Sequence, residues 1–156
     1  MMARMPVILC LLRHGRATGQ GPEAELLPEG VAYLGALGRR LAAEDWRPAQ
    51  AYASPYVRAR ETARLVLAAT GPGLEPVVLA ELTPETPAQE ALAALFAAGL
   101  RDGRTLVVAH LPLLSLLCDA LTDDDPGFHP GTLVEVELAA DGRSGRILRV
   151  LGQSPS

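Results

Sequence analysis

The apolar run Val7-Ile8-Leu9-Cys10-Leu11-Leu12 stops abruptly at Arg13-His14-Gly15. It reads as a buried strand that delivers an arginine and a histidine to a turn. The pattern recurs: Arg104-Thr105-Leu106-Val107-Val108-Ala109 is a second short apolar run, and it ends in His110. In open α/β sheets, ligands gather at the carboxyl edge of the strands. Two histidines at the ends of two parallel strands would meet over one crevice, an arrangement suited to holding an anion beside a nucleophile.

The rest of the chain alternates strand and helix. Pro28-Glu29-Gly30 opens a helix to about Glu44, with Val31, Leu34, Leu37 and Leu41 at helical spacing. Ala49 to Ser54 is a short strand. Ser54-Pro55 predicts the next helix, with Ser54 as its N-cap and Pro55 at the first helical position. That helix runs to about Ala69 and is stopped by Thr70-Gly71-Pro72-Gly73. Glu75 to Leu82 is β-rich, Pro87 to Ala98 is an alanine-rich helix closed by Gly99, and Pro112 starts a helix ending near Leu121. Thr132 to Leu138 alternates as an edge strand would, and Asp141-Gly142 turns it into a last strand, Arg146 to Leu151. Strands separated by helices predict a three-layer α/β/α sandwich around a mostly parallel central sheet with an antiparallel edge. With 156 residues, no repeat and no dividing linker, one domain is expected over residues 1–152, followed by a frayed tail at 153–156.

Composition narrows the chemistry. The chain has no lysine, which removes Schiff-base chemistry and the Gly-Lys of a P-loop. Every cationic side chain is an arginine, whose planar fork suits phosphate and carboxylate oxygens. A formal net charge of -4 makes a poor general nucleic-acid binder. No stretch reaches transmembrane length, and the first apolar run is too short for a signal-peptide core, so a cytoplasmic protein is expected. Cys10 and Cys118 match no metal or redox spacing and read as buried, reduced thiols. Asp123-Asp124-Asp125 reads as a solvated loop beyond a helix end, without cation-ligand spacing.

A third cation joins the two histidines. Arg58 lies one turn into the helix after Ser54, and helical side chains lean toward the N-terminus. It can reach back over the helix start, where free N–H groups add to the anion preference. Arg13, His14, Arg58 and His110 are thus expected around one anion, with Gly15 in the turn and Thr18 and Gln20 at its mouth. Arg60 and Arg64 read as solvated, with Glu61 a local partner for Arg64. His129 sits in a loop between Phe128 and Pro130.

Leu-Arg-His-Gly after a strand, Ser54-Pro55-Tyr56-Val57-Arg58-Ala59-Arg60-Glu61-Thr62-Ala63, and a late His110 at a strand end resemble the histidine phosphatase (phosphoglycerate-mutase-like) superfamily. Glu81-Leu82-Thr83-Pro84 and Ala109-His110-Leu111-Pro112-Leu113 look like its SixA-type phosphohistidine phosphatase branch. The resemblance implies that neutral His14 attacks phosphorus through one ring nitrogen while a backbone carbonyl orients the other. It implies a phosphohistidine on His14 that water hydrolyses, with Arg13, Arg58 and His110 on the equatorial oxygens and no metal or other cofactor. The cations are expected to lower the His14 pKa. Leu79-Ala80-Glu81 fits the family's spacing for a general acid, making Glu81 the candidate with Glu85 behind it.

Departures from the wider family bear on substrate. Ala17 stands where mutase-like members carry serine, the chain has no asparagine, and no Gly-x-Trp-Glu-Gly follows Glu81. Nothing between Arg58 and His110 is left for a cap, so the site is expected to be open. That suits a phosphorylated histidine presented by a phosphotransfer protein. A small-molecule phosphomonoesterase is the alternative, and a phosphate- or phosphoprotein-binding module without turnover is the reading from another class. A mutase would need a closed pocket that excludes water.

Overall fold

The computed structural model of the chain describes residues 6–152, so the tail at 153–156 lies outside the described residues. Six strands form one sheet in the order β3-β2-β4-β1-β5-β6. They are β1 (Val7–Arg13), β2 (Pro48–Ala53), β3 (Val77–Val78), β4 (Gly103–Ala109), β5 (Leu133–Leu138) and β6 (Gly145–Leu151). β3, β2, β4 and β1 run parallel; β5 and β6 add antiparallel on the far side of β1. Four α-helices accompany them: α1 (Pro28–Ala43), α2 (Val57–Thr70), α3 (Ala88–Ala98) and α4 (Leu113–Thr122). Among the described residues no helix is long and apolar enough to cross a membrane.

The period of two in the strands sorts the core into two halves. Cys10 and Leu12 of β1, with Leu106 and Val108 of β4, pack on one face against Leu34, Leu37 and Leu41 of α1 and Ala63, Val66 and Leu67 of α2. Leu9 and Leu11, with Val107 and Ala109, pack on the other face against Leu95 of α3 and Leu113, Leu114 and Leu117 of α4. This is the three-layer sandwich with a mostly parallel sheet and an antiparallel edge.

β1 and β4 are direct neighbours in register, Arg13 opposite Ala109. The chain leaves β1 toward α1 on one face and leaves β4 toward α4 on the other. A crevice opens where adjacent strands diverge in this way, which is the usual place for a ligand in an open α/β sheet.

Three expectations need correction. β5 is not an edge strand. It is hydrogen-bonded to both β1 and β6, and the outermost antiparallel strand is β6. Its alternation misleads because Glu135 is buried at 2% exposure. There it accepts hydrogen bonds from Trp46 Nε1 (3.1 Å), Arg104 Nε (2.9 Å) and Arg149 Nε. Burial alone would raise the Glu135 carboxyl, but the bonds from Arg104, Arg149 and Trp46 hold it below the ordinary range. Glu75 to Leu82 supplies only the two residues of β3 before a 3-10 turn, Ala80–Leu82. α2 begins at Val57, and Ser54 does not cap it.

Candidate active site

Sheet register brings the two histidines together. The His14 N–H donates to the Ala109 carbonyl at 3.2 Å, so His14 and His110 leave adjacent strands side by side. Their ring centroids are 5.0 Å apart. Both are buried, at 9% and 1% exposure. Arg58 sits in the first turn of α2 and reaches back to them, its Nε donating to His14 Nε2 at 3.2 Å. Its other nitrogens donate to the carbonyls of Gly21 (2.7 Å) and Gln20 (3.1 Å) in the loop after β1. Arg13 donates through Nη1 to the Phe128 carbonyl at 2.8 Å.

Hydrogen bonding fixes the state of His14. Nδ1 lies 2.8 Å from the Gly15 carbonyl, an acceptor, so Nδ1 carries the proton. Nε2 faces the Arg58 N–H and therefore presents its lone pair. Burial pushes the His14 pKa down to about 4, with Arg58 and Arg13 adding to it against the opposing pull of the Gly15 carbonyl. Loss of water, more than the cations, is thus the main reason the ring stays neutral. His110 is driven down to about 3 by burial, then by His14, Arg58 and Arg13.

The cleft over these groups has a volume of about 640 Å³ and includes Arg13, His14, Gly15, Arg58 and His110 in its lining. Among the described residues two polar atoms in this cluster are buried without a partner: Arg13 Nε and His110 Nδ1. Buried donors are nearly always satisfied, and an orphan costs about 1–3 kcal/mol. Both belong to residues that line the cleft beside His14 and Arg58.

Residues 9–84 match the sequence model of the histidine phosphatase superfamily (branch 1). Over residues 9–84 the chain belongs to the histidine phosphatase superfamily. No curated protein sequence matches it. Among solved structures, the protein histidine phosphatase SixA complexed with tungstate is 24% identical, with 92% of this chain and 96% of that chain covered at a TM-score of 0.82. A protein of Agrobacterium tumefaciens assigned as a SixA phosphohistidine phosphatase is 20% identical, covering 96% and 99% at 0.79. The phosphoglycerate mutase of Bacillus anthracis is 19% identical, covering 92% of each chain at 0.70. At these identities the likeness is one of fold: a phosphoglycerate-mutase-like α/β sandwich.

Other expected positions fall differently. Glu81 is exposed in the 3-10 turn and does not line the cleft, whereas Glu85 does. The turn buries Leu82 and carries its neighbour Glu81 into solvent. Thr18 is exposed outside the lining, its N–H held by the Glu25 carbonyl at 2.8 Å in the hairpin closed by Ala17 and Leu26; Gln20 lines the mouth. His129 is exposed and outside the lining, although the adjacent Pro130 belongs to it. Glu61 accepts the Leu26 N–H at 3.1 Å instead of pairing with Arg64, and Arg60 folds back onto the Pro55 carbonyl at 3.1 Å. Asp123 forms the left-handed C-cap of α4, with Asp124 and Asp125 exposed beyond it. Cys10 and Cys118 are both buried.

Two contributors escaped the sequence reading of function. Thr62, one turn after Arg58, accepts the Gly15 N–H at 3.1 Å and donates to the Arg58 carbonyl at 2.7 Å, tying the histidine turn to α2. Tyr56 packs edge-on against His110 at 4.7 Å, with the Arg58 guanidinium 5.0 Å from its ring centre. Thr62 was visible as a threonine at i+4 from Arg58; nothing local singled out Tyr56.

Proposed function

We propose that this chain is a phosphatase that forms a covalent phosphohistidine on His14 and acts on a phosphorylated histidine of a phosphotransfer protein in the cytoplasm. The observation that carries the reading is the unprotonated His14 Nε2 beside Arg58 and two buried donors that lack partners. In the first step the Arg58 Nε–H turns from Nε2 to a phosphoryl oxygen, and the freed Nε2 lone pair bonds to phosphorus as the bond to the leaving group breaks, its electron pair going with that group. The new positive charge on the ring is shared with the Gly15 carbonyl through Nδ1–H. Arg13, Arg58 and the His110 Nδ1–H hold the equatorial oxygens, where charge sits in the transition state. In the second step water bonds to phosphorus as the P–Nε2 bond breaks, the electron pair returns to Nε2 and phosphate leaves with the water's protons, so one hard displacement becomes two easier ones. The arginines supply the positive charge, and the mechanism needs no metal.

A phosphorylated imidazole leaves as neutral imidazole once its free nitrogen is protonated, so the reaction depends little on an acid from the protein. Glu85 at the mouth is the nearer candidate where an acid is required. The segment between β3 and α3 is too short for a cap, which favours a side chain presented by another protein. The tungstate bound by the SixA relative is an oxyanion of the kind this cluster would hold. The cleft volume of about 640 Å³ also lies within the range of small-molecule pockets, which favours a phosphomonoesterase as the second reading.

The test is phosphate release from a phosphohistidine-bearing phosphotransfer domain, from 3-phosphoglycerate and from an aryl phosphate, each with and without EDTA, followed by intact mass after quenching. The proposal expects fast, EDTA-insensitive release from the protein substrate and an acid-labile phosphoenzyme that His14→Ala abolishes. Preference for the small esters would select the second reading, and binding without release would make the protein a phosphate-binding module. Undiminished turnover by His14→Ala would rule out the covalent step.

A further inference from the structure

Ser54 is fully buried at the end of β2, where its N–H donates to the Val108 carbonyl at 3.0 Å. Its Oγ accepts the Tyr56 N–H at 3.2 Å and lies 2.7 Å from His110 Nε2. A serine hydroxyl has one hydrogen to give. Among the described residues Oγ makes no further hydrogen bond, so Nε2 is the one acceptor for that hydrogen. Nε2 is then unprotonated, and a neutral imidazole carries its single proton on Nδ1. Nδ1 is the atom that is buried without a partner. The opposite tautomer would strand the serine hydrogen and turn a bare Nδ1 lone pair toward any bound oxyanion, where it would repel.

We infer that Ser54 is a positioning residue whose hydroxyl holds His110 in the one tautomer that leaves Nδ1–H for an oxyanion bound in the cleft. His14 is fixed in the matching state by the Gly15 carbonyl and the Arg58 N–H, so each ring keeps its proton on Nδ1. The two rings then divide the work: His14 offers a lone pair at Nε2, and His110 offers a proton at Nδ1. The inference rests on the phosphatase reading for the identity of the oxyanion, whereas the hydrogen accounting around Ser54 does not depend on it.

The experiment combines long-range proton–nitrogen correlation spectra of the imidazoles at neutral pH, tungstate titration, and kcat and KM on an aryl phosphate. Wild type, Ser54→Ala and Ser54→Thr are compared. Wild-type His110 is expected to carry its proton on Nδ1. Ser54→Ala is expected to spread His110 over both tautomers, weaken tungstate binding and lower kcat about tenfold with little change in KM. That loss is smaller than the roughly hundredfold or more expected from deleting an oxyanion donor outright. Ser54→Thr, which retains the hydroxyl, is expected to keep the tautomer and most of the turnover. A wild-type spectrum with the proton on Nε2 overturns the inference and needs no variant to fold. So does a Ser54→Ala protein that keeps the wild-type tautomer, whether its turnover is retained or lost. A wild-type protein that turns over no phosphate, with tautomer and tungstate affinity still shifting in Ser54→Ala, would defeat the phosphatase reading and leave the role of Ser54 standing.

Discussion

Arg58 uses all three of its guanidinium nitrogens, on His14 Nε2, the Gly21 carbonyl and the Gln20 carbonyl. A lysine keeps the charge but not this fork. Arg58→Lys is therefore expected to lose roughly a hundredfold or more in kcat on an aryl phosphate, comparable to loss of an oxyanion donor. Steady-state kinetics check this, and near-wild-type turnover would show that charge alone suffices. His14, with its pKa pushed down to about 4, should keep its share of kcat/KM flat from neutral pH to below 6, whereas an unperturbed imidazole would lose activity near ~6.5. The same shifts govern stability. His14 and His110 bind protons more weakly folded than unfolded, so the unfolded chain takes up more protons between about pH 6.5 and the folded values of about 4 and about 3. Their contribution is complete above about pH 6.5 and is lost as pH falls through that window. Urea titrations at neutral pH and about pH 5 should show the midpoint falling in acid, and less steeply in a His110→Gln variant. At this scale the sequence was most legible where chemistry and position coincide. Arg13, His14, Arg58 and His110 stand at element ends, and the fold brings all of them to one cleft. Thr18 and Glu81 were chosen by proximity in sequence or by family spacing, and a local hairpin and a 3-10 turn decide which way such residues face.

The elements hold the site by close backbone approach. Gly30, in the first turn of α1, has no side chain to spare: a Cβ there would come within 2.7 Å of the Arg16 carbonyl oxygen. Glycine-to-alanine changes inside a helix normally stabilise by up to about 1 kcal/mol. Here the clash is with backbone, so Gly30→Ala is expected to destabilise by about 1–3 kcal/mol, the range for overpacked sites. A thermal melt should drop by several degrees at roughly 2–4 °C per kcal/mol; an unchanged or raised midpoint would show that the loop after His14 shifts freely. The start of α2 illustrates what local rules miss. Ser54-Pro55 reads as a helix cap, yet the helix begins two residues beyond Pro55, and the serine hydroxyl is directed to a histidine more than fifty residues later, Oγ to Nε2 at 2.7 Å. Capping chemistry and tertiary hydrogen bonding call on the same residue type, and only the packing of β2 beside β4 chooses between them.

Across the whole molecule, the parallel half of the sheet carries the site, while β5 and β6 close the sandwich on the other side of β1. Besides the ladder between β5 and β1, the buried Glu135 ties them to the rest, joining Trp46, Arg104 and Arg149 across several elements. Removing one partner of a buried charge cluster costs about 3–5 kcal/mol, because the remaining charges lose their counterion. Arg104 and Arg149 are about one-third exposed, so water softens the loss, and Glu135→Ala is expected near the lower end. A drop of about 10 °C in the thermal midpoint, with kcat at low temperature preserved, is the expected outcome. An unchanged midpoint would show that the cluster is neutral for stability. The layered architecture was readable from the alternation of strand-like and helix-like segments, and the apolar runs ending at Arg13 and Ala109 became the adjacent inner strands β1 and β4. The order of the strands was not, and a glutamate in the middle of β5 disguised an interior strand as a peripheral one.

The hydrogen bond from the His14 N–H to the Ala109 carbonyl links the first strand to one made much later in the chain. A ribosome must therefore complete β2 and β4 after the first imidazole before the second exists to take its place. The pairing of the two rings arrives in a single stroke with tertiary closure, and a half-made product holds one imidazole without the other.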